Sequence, residues 1–283
     1  MASGVLRERL RRDRFFQLGL VLVALVVSGA VLAPWIAPFD PLRGDLRNAY
    51  LLEPGGRFLL GTDTQGRDVL SRVLYGARLS LAVGLVSQSV AVILGVLLGL
   101  LAGYYGRWVD AVVMRLADVT LAFPTLLLLV AVAAAVRPSL IMIFLVIGAV
   151  GWAGMARLVR GQVLTLRGAV FVVAARALGA RDRCVLLRHL LPNVRTQVII
   201  AATLGVAGAI MAEAALSFVG LGAQPPTPSW GAMVADGRDF IRVAPWVSFA
   251  PGIAIGLAVL GFNLVGDALR ETFDPKLRNE GRG

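Results

Sequence analysis

Cysteine and histidine are almost missing from this sequence: its 283 residues hold one of each, Cys184 and His189. A single Cys excludes an internal disulfide and a Cys-based metal cluster. A single His argues against a His-built metal site. Charge is scarce as well, since only 16% of the residues are Asp, Glu, Lys or Arg, against about 25% in a soluble domain. What fills the space is apolar: 58% of the chain is hydrophobic and 32 residues are Gly, the composition of a multi-span membrane protein. A net charge of +11 would suit a nucleic-acid binder in a soluble chain. Here the basic residues sit in short loops beside apolar runs, where they act as orientation signals.

A membrane span needs roughly 20 apolar residues. Six segments qualify, approximately 15–37, 79–103, 119–136, 139–157, 196–219 and 246–266. The first is too long for a signal-peptide core of about 7–15 residues and reads as an uncleaved anchor. Six spans put both termini on one side. With the N-terminus inside, 19 of the 28 Lys and Arg and nine of the 17 Asp and Glu fall inside, so the inner side carries +10 and the outer side +2. The positive-inside bias therefore predicts N-in, C-in. The predicted fold is an all-α membrane protein with six transmembrane helices, because lipid leaves only helices or closed barrels. The chain divides into a cytoplasmic tail 1–14, an anchor helix 15–37, and an extracytoplasmic loop 38–78 with an interfacial helix. A five-helix core 79–270, including a cytoplasmic loop 158–195, and a tail 271–283 complete it. Small residues in "GVLLGLLAG" and "LGVAGAIMAEAALS" permit close helix approach.

The segment "GTDTQGRD", Gly61 to Asp68, imitates a phosphate loop, G-x-x-x-x-G-K-[ST]. Arg67 stands for the Lys and Asp68 for the hydroxyl, and Asp68 would repel phosphate. No strong strand precedes it, and the topology puts it outside. It reads as a turn leading into an interfacial helix, "DVLSRVLYGARLS", so no ATPase machinery is expected in this chain.

The basic block "VVAARALGARDRCVLLRHLLPNV", 172–194, lies between the fourth and fifth spans. "VVAARAL" favours a helix with a small surface at Ala174 and Ala175, and Gly179 allows a sharp C-cap. "ARDRCVLLRHLL" then forms a second short helix with Cys184, Leu187 and Leu191 on one face, ended by Pro192. Composition alone leaves two readings open: a docking element, or a solvated, headgroup-bound basic loop.

The spacing Ala174-Ala175, three residues to Gly179, nine residues, then His189-Leu190-Leu191-Pro192 resembles the "EAA" coupling loop of ATP-binding-cassette importer permeases. Val173 stands where the family has Glu, and His189 where an apolar residue is usual. "LGTDTQGRDVLSRVLYGARLSLAVG", "GLLAGYYGRWVDAVVMRLADVTLAFPTLLL", "ARLVRGQVLTLR", "AEAALSFVGLGAQPPTPSWGAMVADGRD" and "FNLVGDALRETFDPKLR" are similar to the dipeptide/oligopeptide/nickel branch, to the shorter, C-type permease of its pair. The resemblance covers roughly Leu60 to Arg278.

It implies a type I (MetI-like) permease fold in a bacterial or archaeal cytoplasmic (inner) membrane. It implies a second six-helix permease, a heterodimer in most of the family, two cytoplasmic ATPases and an extracytoplasmic substrate-binding protein. ATP and magnesium would sit on the ATPases, and no cofactor, metal or nucleic acid on this chain. The implied cargo is a dipeptide or oligopeptide, with nickel or another small solute as the alternative. The coupling residues would be Ala174, Ala175, Gly179, Arg181, Asp182, Leu187 and Pro192.

Glu213 is the one acid deep in a span, and such a charge suggests function. It is expected either to face the pore or to make a helix–helix hydrogen bond. Glu213, Ser217 and Asn263 are the candidate pore or gate residues; Asn263 and Asp267 also read as end-capping and interface packing. The loop Gly220 to Arg242 is expected to face the binding protein or the outer gate, with Trp230 and Trp246 as alternative interfacial anchors. A secondary transporter would need ion-coupling acids or paired broken helices, and the sequence offers a single intramembrane Glu.

Overall fold

The computed structural model describes residues 13–136 and 139–273. The expected tails therefore fall almost wholly outside the described residues, as do Arg137 and Pro138 of the third break. Among the described residues the chain is helical, with two isolated β-bridges in the loop that precedes residue 69.

Helix α1, Arg14–Ile36, begins where the Asp13 carboxylate accepts from the Phe15 and Phe16 amides at 2.8 and 3.2 Å. Helix α2, Val69–Tyr105, is capped by Asp68, which accepts from the Ser71 amide at 2.7 Å and its hydroxyl at 2.6 Å. The turn 61–68 thus ends in a helix cap. With 37 residues, α2 is about 55 Å long at 1.5 Å per residue, well beyond the roughly 30 Å hydrocarbon core. The expected interfacial helix and second span are one continuous rod. It stops at Gly106, whose φ of +63° suits glycine.

The stretch expected as a straight third span, 119–136, is broken. Helix α3, Arg107–Ala122, ends, and α4, Thr125–Ala135, starts after Phe123-Pro124 with its axis turned by 95°. Phe123 sits in the extended region (φ −91°, ψ 141°), as the residue before a proline prefers. Helix α5, Leu140–Leu166, is capped by Ser139. Arg160 pairs with Asp110, and Arg157 with Asp118 at 2.5 Å, tying α5 to α3.

Helix α6, Val170–Ala177, is followed by α7, Asp182–Phe218, whose segment Val185–Leu190 is a π-helix. Pro192 was expected to end a short helix. Instead it lies inside α7, just past the wide π turn, and Asn193 donates from Nδ2 to the His189 carbonyl at 2.6 Å. The wider turn takes up the strain that a proline ring places on the preceding turn. Helix α8, Trp230–Gly237, and a 3-10 turn, Arg238–Phe240, lead to α9, Trp246–Phe273. Helices α1, α2, α5, α7 and α9 are each long and apolar enough to cross a membrane, and α3–α4 qualifies as a bent pair.

The central packing is α2 on α5. A Cβ at Gly95, Gly99 or Gly103 would lie 2.5 Å from Met155 Cβ, 2.6 Å from the Ala156 carbonyl oxygen or 2.7 Å from Val163 Cβ. Glycine at every fourth position lets the two backbones touch along three turns. Helix α1 packs on α9 in the same way, through Gly19 and Gly261.

Candidate coupling and gating sites

The segment 170–190 is built by two specific turns. At the end of α6, the Gly179 amide donates to the Arg176 carbonyl and the Ala180 amide to the Ala175 carbonyl. With Gly179 at φ +80°, this is a Schellman cap, which sets the exit direction of the chain. The π-helix then changes the register of the second arm. In it, Val185 and Leu190, five residues apart, are both fully buried. The face expected from α-helical spacing is different: Leu187 is exposed, and Cys184 and Leu191 are half-buried.

The buried face of the loop, Val172, Val185, Leu190 and Val194, packs on Leu100, Tyr104, Val159 and Val163 of α2 and α5. Tyr104 holds both arms. Its hydroxyl donates to Asp182 Oδ1 at 2.6 Å, and the Arg176 guanidinium lies 4.7 Å from its ring centroid. The sequence reading missed Tyr104; the available signal was a Tyr at the end of an apolar run, one residue before the Tyr105-Gly106 break.

The opposite face is open. Val170 is 86% exposed and Leu178 88%, and Val173, Ala174, Ala177, Gly179, Arg181 and Pro192 are exposed too. Ala175 is half-buried, and Asp182 is exposed while bonded to Tyr104. A Cβ on Gly179 would meet no atom within 4 Å, so the need for glycine there is conformational. Large apolar side chains therefore stand exposed at a helix-turn tip whose base is buried.

Glu213 lies elsewhere, fully buried. Its carboxylate accepts from Ser217 Oγ at 2.6 Å and from Ser80 Oγ at 3.2 Å. Ser217 Oγ is 3.4 Å from Ser229 Oγ, and the Trp230 amide donates to Ser80 Oγ at 3.3 Å. This network joins α2, α7 and the start of α8. Gly222 and Gly231 lie so close to Ser217 that a Cβ at either would overlap it. Ser217 thus belongs to the same node. Asn263 does not join it: α9 continues ten residues beyond Asn263, which is half-buried inside the helix and caps no end.

A second polar node lies at the loop that precedes α2. Asp63 accepts from Arg67 Nε at 2.7 Å, and Arg72 Nε is 3.2 Å from the same carboxylate. Arg72 also lies 3.8 Å from Asp236 of α8. Burial pushes the Asp236 carboxyl upward, and the charges of Arg72 and Arg67 pull against it. Trp230, 1% exposed, donates to the Val73 carbonyl at 3.0 Å, and Trp246 donates to the Thr62 carbonyl at 3.1 Å. Both tryptophans are hydrogen-bonded within the protein, and the buried Trp230 does not serve as a lipid-facing anchor.

Residues 95–279 match the family model described as the inner membrane component of binding-protein-dependent transport systems. Residues 4–54 match the N-terminal transmembrane domain of oligopeptide transport permease C. The chain is 42% identical over 272 residues to a dipeptide transport system permease protein of Alkalihalophilus pseudofirmus, covering 96% of this chain and 89% of that one. It is 46% identical to a di/tripeptide transport system permease protein of Pseudomonas aeruginosa, over 92% and 88% of the two chains. It is 41% identical to a glutathione transport system permease protein of Escherichia coli, over 96% and 89%.

Proposed function

Because the chain belongs to the family of inner membrane components of binding-protein-dependent transport systems, we propose that it forms half of the pore of an ATP-driven peptide importer. Peptide cargo is supported by relatives whose names specify dipeptides, di/tripeptides and glutathione; nickel or another small solute is the alternative. The partners in this reading are a second permease of six spans, two cytoplasmic ATPases and an extracytoplasmic binding protein. The α3–α4 pair counts as one span, both termini face the cytoplasm, and ATP and magnesium bind the ATPases only.

The observation that carries this reading is the open face of α6. An apolar tip rests on a base fastened to α2 and α5, so a push on the tip moves two spans as a rigid body. Val173 replaces the acid expected at the start of the motif, and the tip keeps its shape without it. Ala174, Ala175, Gly179, Arg181, Leu187 and Pro192 are the proposed coupling residues, with Asp182 positioning the turn through Tyr104. We read Glu213 and Ser217 as a tie that holds α8 against α2 and α7 on the outer side.

The test is copurification with the two ATPases and the second permease, followed by uptake of labelled dipeptide into proteoliposomes. Uptake that needs ATP and the binding protein and stops with vanadate is the expected result. Uptake of nickel with no uptake of peptide overturns the cargo, and failure to hold ATPases overturns the coupling role. Glu213→Gln is expected to lower assembly and leave the uptake rate per assembled complex near wild type. Normal assembly with lost uptake makes Glu213 a pore residue instead.

A further inference from the structure

The end of α1, the loop that follows it and the start of α2 surround an open cavity of about 650 Å³ that none of the contacts above uses. Its size lies in the range of small-molecule sites, about 300–1,000 Å³. Four of its ten lining residues are Pro34, Pro38, Pro41 and Pro228. Proline fixes its own backbone angle and offers no N–H, so these stretches form a stiff wall poor in donors. The wall is also tied down. The Phe39 amide donates to Ser71 Oγ of α2 at 3.0 Å, and Trp230, two residues after Pro228, donates to the Val73 carbonyl at 3.0 Å.

The level of the cavity in the bundle follows from α1. At 1.5 Å per residue the 23 residues of α1 span about 34 Å, close to the roughly 30 Å of a hydrocarbon core. Pro34 and Ala37, at the end of α1, therefore line the cavity where acyl chains give way to headgroups. Trp35, 76% exposed, marks the same level, as tryptophans at a membrane boundary do. Charge of both signs stands around the cavity. Asp40 lines it, with its carboxylate half exposed and paired with the far more exposed Arg43 at 3.3 Å. Phe39 and Tyr75 line it as well, and the guanidinium groups of Arg57 and Arg78 lie 5.0 and 5.9 Å from their ring centroids.

We propose that this cavity binds a zwitterionic phospholipid of the phosphatidylethanolamine class. The glycerol and upper acyl chains lie against Pro38, Leu42 and Tyr75. The ammonium meets Asp40, and Arg78, which stands just before the apolar run of α2, meets the phosphate. An apolar wall with an acid and two basic neighbours fits a headgroup that carries both charges. Phosphatidylglycerol has no ammonium and would bring its phosphate against Asp40. Phosphatidylcholine keeps both charges, but its three methyl groups remove the N–H donors that a carboxylate accepts. This inference goes beyond the transport reading and does not depend on the cargo.

The test uses the complete transporter in nanodiscs of equal parts phosphatidylethanolamine, phosphatidylcholine and phosphatidylglycerol. One class at a time carries a photoreactive group high on its acyl chain, and labelling is mapped by peptide mass. The ethanolamine lipid is expected to label 37–42 and Tyr75 about threefold more than the choline lipid, the worth of one partly exposed charge pair. Phosphatidylglycerol is expected to label them least. All three should label Val21 and Leu25, exposed on α1, equally. Asp40→Asn keeps an acceptor for the Leu42 amide, bonded at 2.9 Å, and removes the charge; it is expected to erase the preference over the choline lipid. Thr227→Trp, at an exposed position of the wall, is expected to fill the cavity and end labelling at 37–42, with Val21 and Leu25 still labelled. Equal labelling of 37–42 by all three lipids, or a preference for phosphatidylglycerol, overturns the proposal. So does a preference that survives Asp40→Asn, or labelling that survives Thr227→Trp. Wild type labelled at Val21 and Leu25 but not at 37–42 shows that another subunit covers the cavity, and overturns it too.

Discussion

The two ends of the helix bundle handle charge and grease in opposite ways. At the loop before α2, Arg67 and Arg72 are 5% and 4% exposed and Trp230 1%, each enclosed by groups of this chain. Arg67 and Trp230 are hydrogen-bonded, and Arg72 is held by ion pairs while its Nε and Nη1 have no hydrogen-bond partner among the described residues. At the α6 tip, Val170 and Leu178 are almost fully exposed, while Val172, Val185 and Leu190 beneath them are fully buried. One end closes on itself. The other has a finished base and an unfinished top. A self-closed end resists change through its own contacts, whereas an unfinished one gains its stability from whatever covers it. That division suits a subunit proposed to be driven by ATPases at its cytoplasmic end.

The comparison breaks most violently at Asp63. Its removal leaves Arg67 and Arg72 buried without their shared carboxylate, and breaking a buried pair costs about 3–5 kcal/mol. Asp63→Ala is expected to lower the melting temperature of the detergent-purified protein sharply and to reduce its yield. A melting curve that overlays wild type removes the self-closed description of that end.

At the tip the largest effect is expected from Gly179→Val. A β-branched residue at φ +80° carries strain of about 1–3 kcal/mol, concentrated in the α6 cap, since a Cβ there meets no neighbour. Global melting is expected to shift little, while cargo-stimulated ATP hydrolysis and uptake are lost together. Normal stimulation and uptake in this variant sink the coupling role.

Tyr104→Phe tests the base in isolation. It deletes the hydroxyl bonded to Asp182 and keeps the ring beneath Arg176. A hydrogen bond to a charged group contributes about 1.5–3 kcal/mol when buried, less here because Asp182 is exposed. Uptake is expected to fall severalfold with ATPase binding intact. A matching loss of ATPase binding shows that Tyr104 shapes the tip as well as the base.

Much of this was legible in the sequence for simple reasons. The long apolar runs announce the helices, and the Gly-x3-Gly spacing of 95, 99 and 103 announces close approach. Gly179 announces the turn. Two of the missed features have a signal that periodicity or neighbouring residues do not carry. The π turn places Val185 and Leu190 together at a spacing that α-helical periodicity does not search. The Arg72–Asp236 contact joins residues far apart in the chain, and nothing in either neighbourhood names the other. The 95° break at Phe123-Pro124 was written in a proline, but an otherwise unbroken apolar run from 119 hid it.

The smallest effect on the chain itself is expected from Leu178→Ser, and it sharpens the comparison furthest. At 88% exposure Leu178 buries almost nothing in this subunit, and a surface substitution of this kind changes stability by less than about 0.5 kcal/mol. Its apolar area is expected to matter only when an ATPase covers it, where a fully buried Leu contributes about 1.5–3 kcal/mol, or roughly ten- to a hundredfold in affinity. The purified permease should melt as wild type, while the ATPases dissociate at concentrations where wild type retains them. Asp63→Ala should do the reverse: fewer molecules fold, and those that do bind ATPase normally when compared at equal folded amounts. If Leu178→Ser leaves ATPase affinity unchanged, the exposed tip is not a docking surface, and the contrast between the two ends reflects solvation alone.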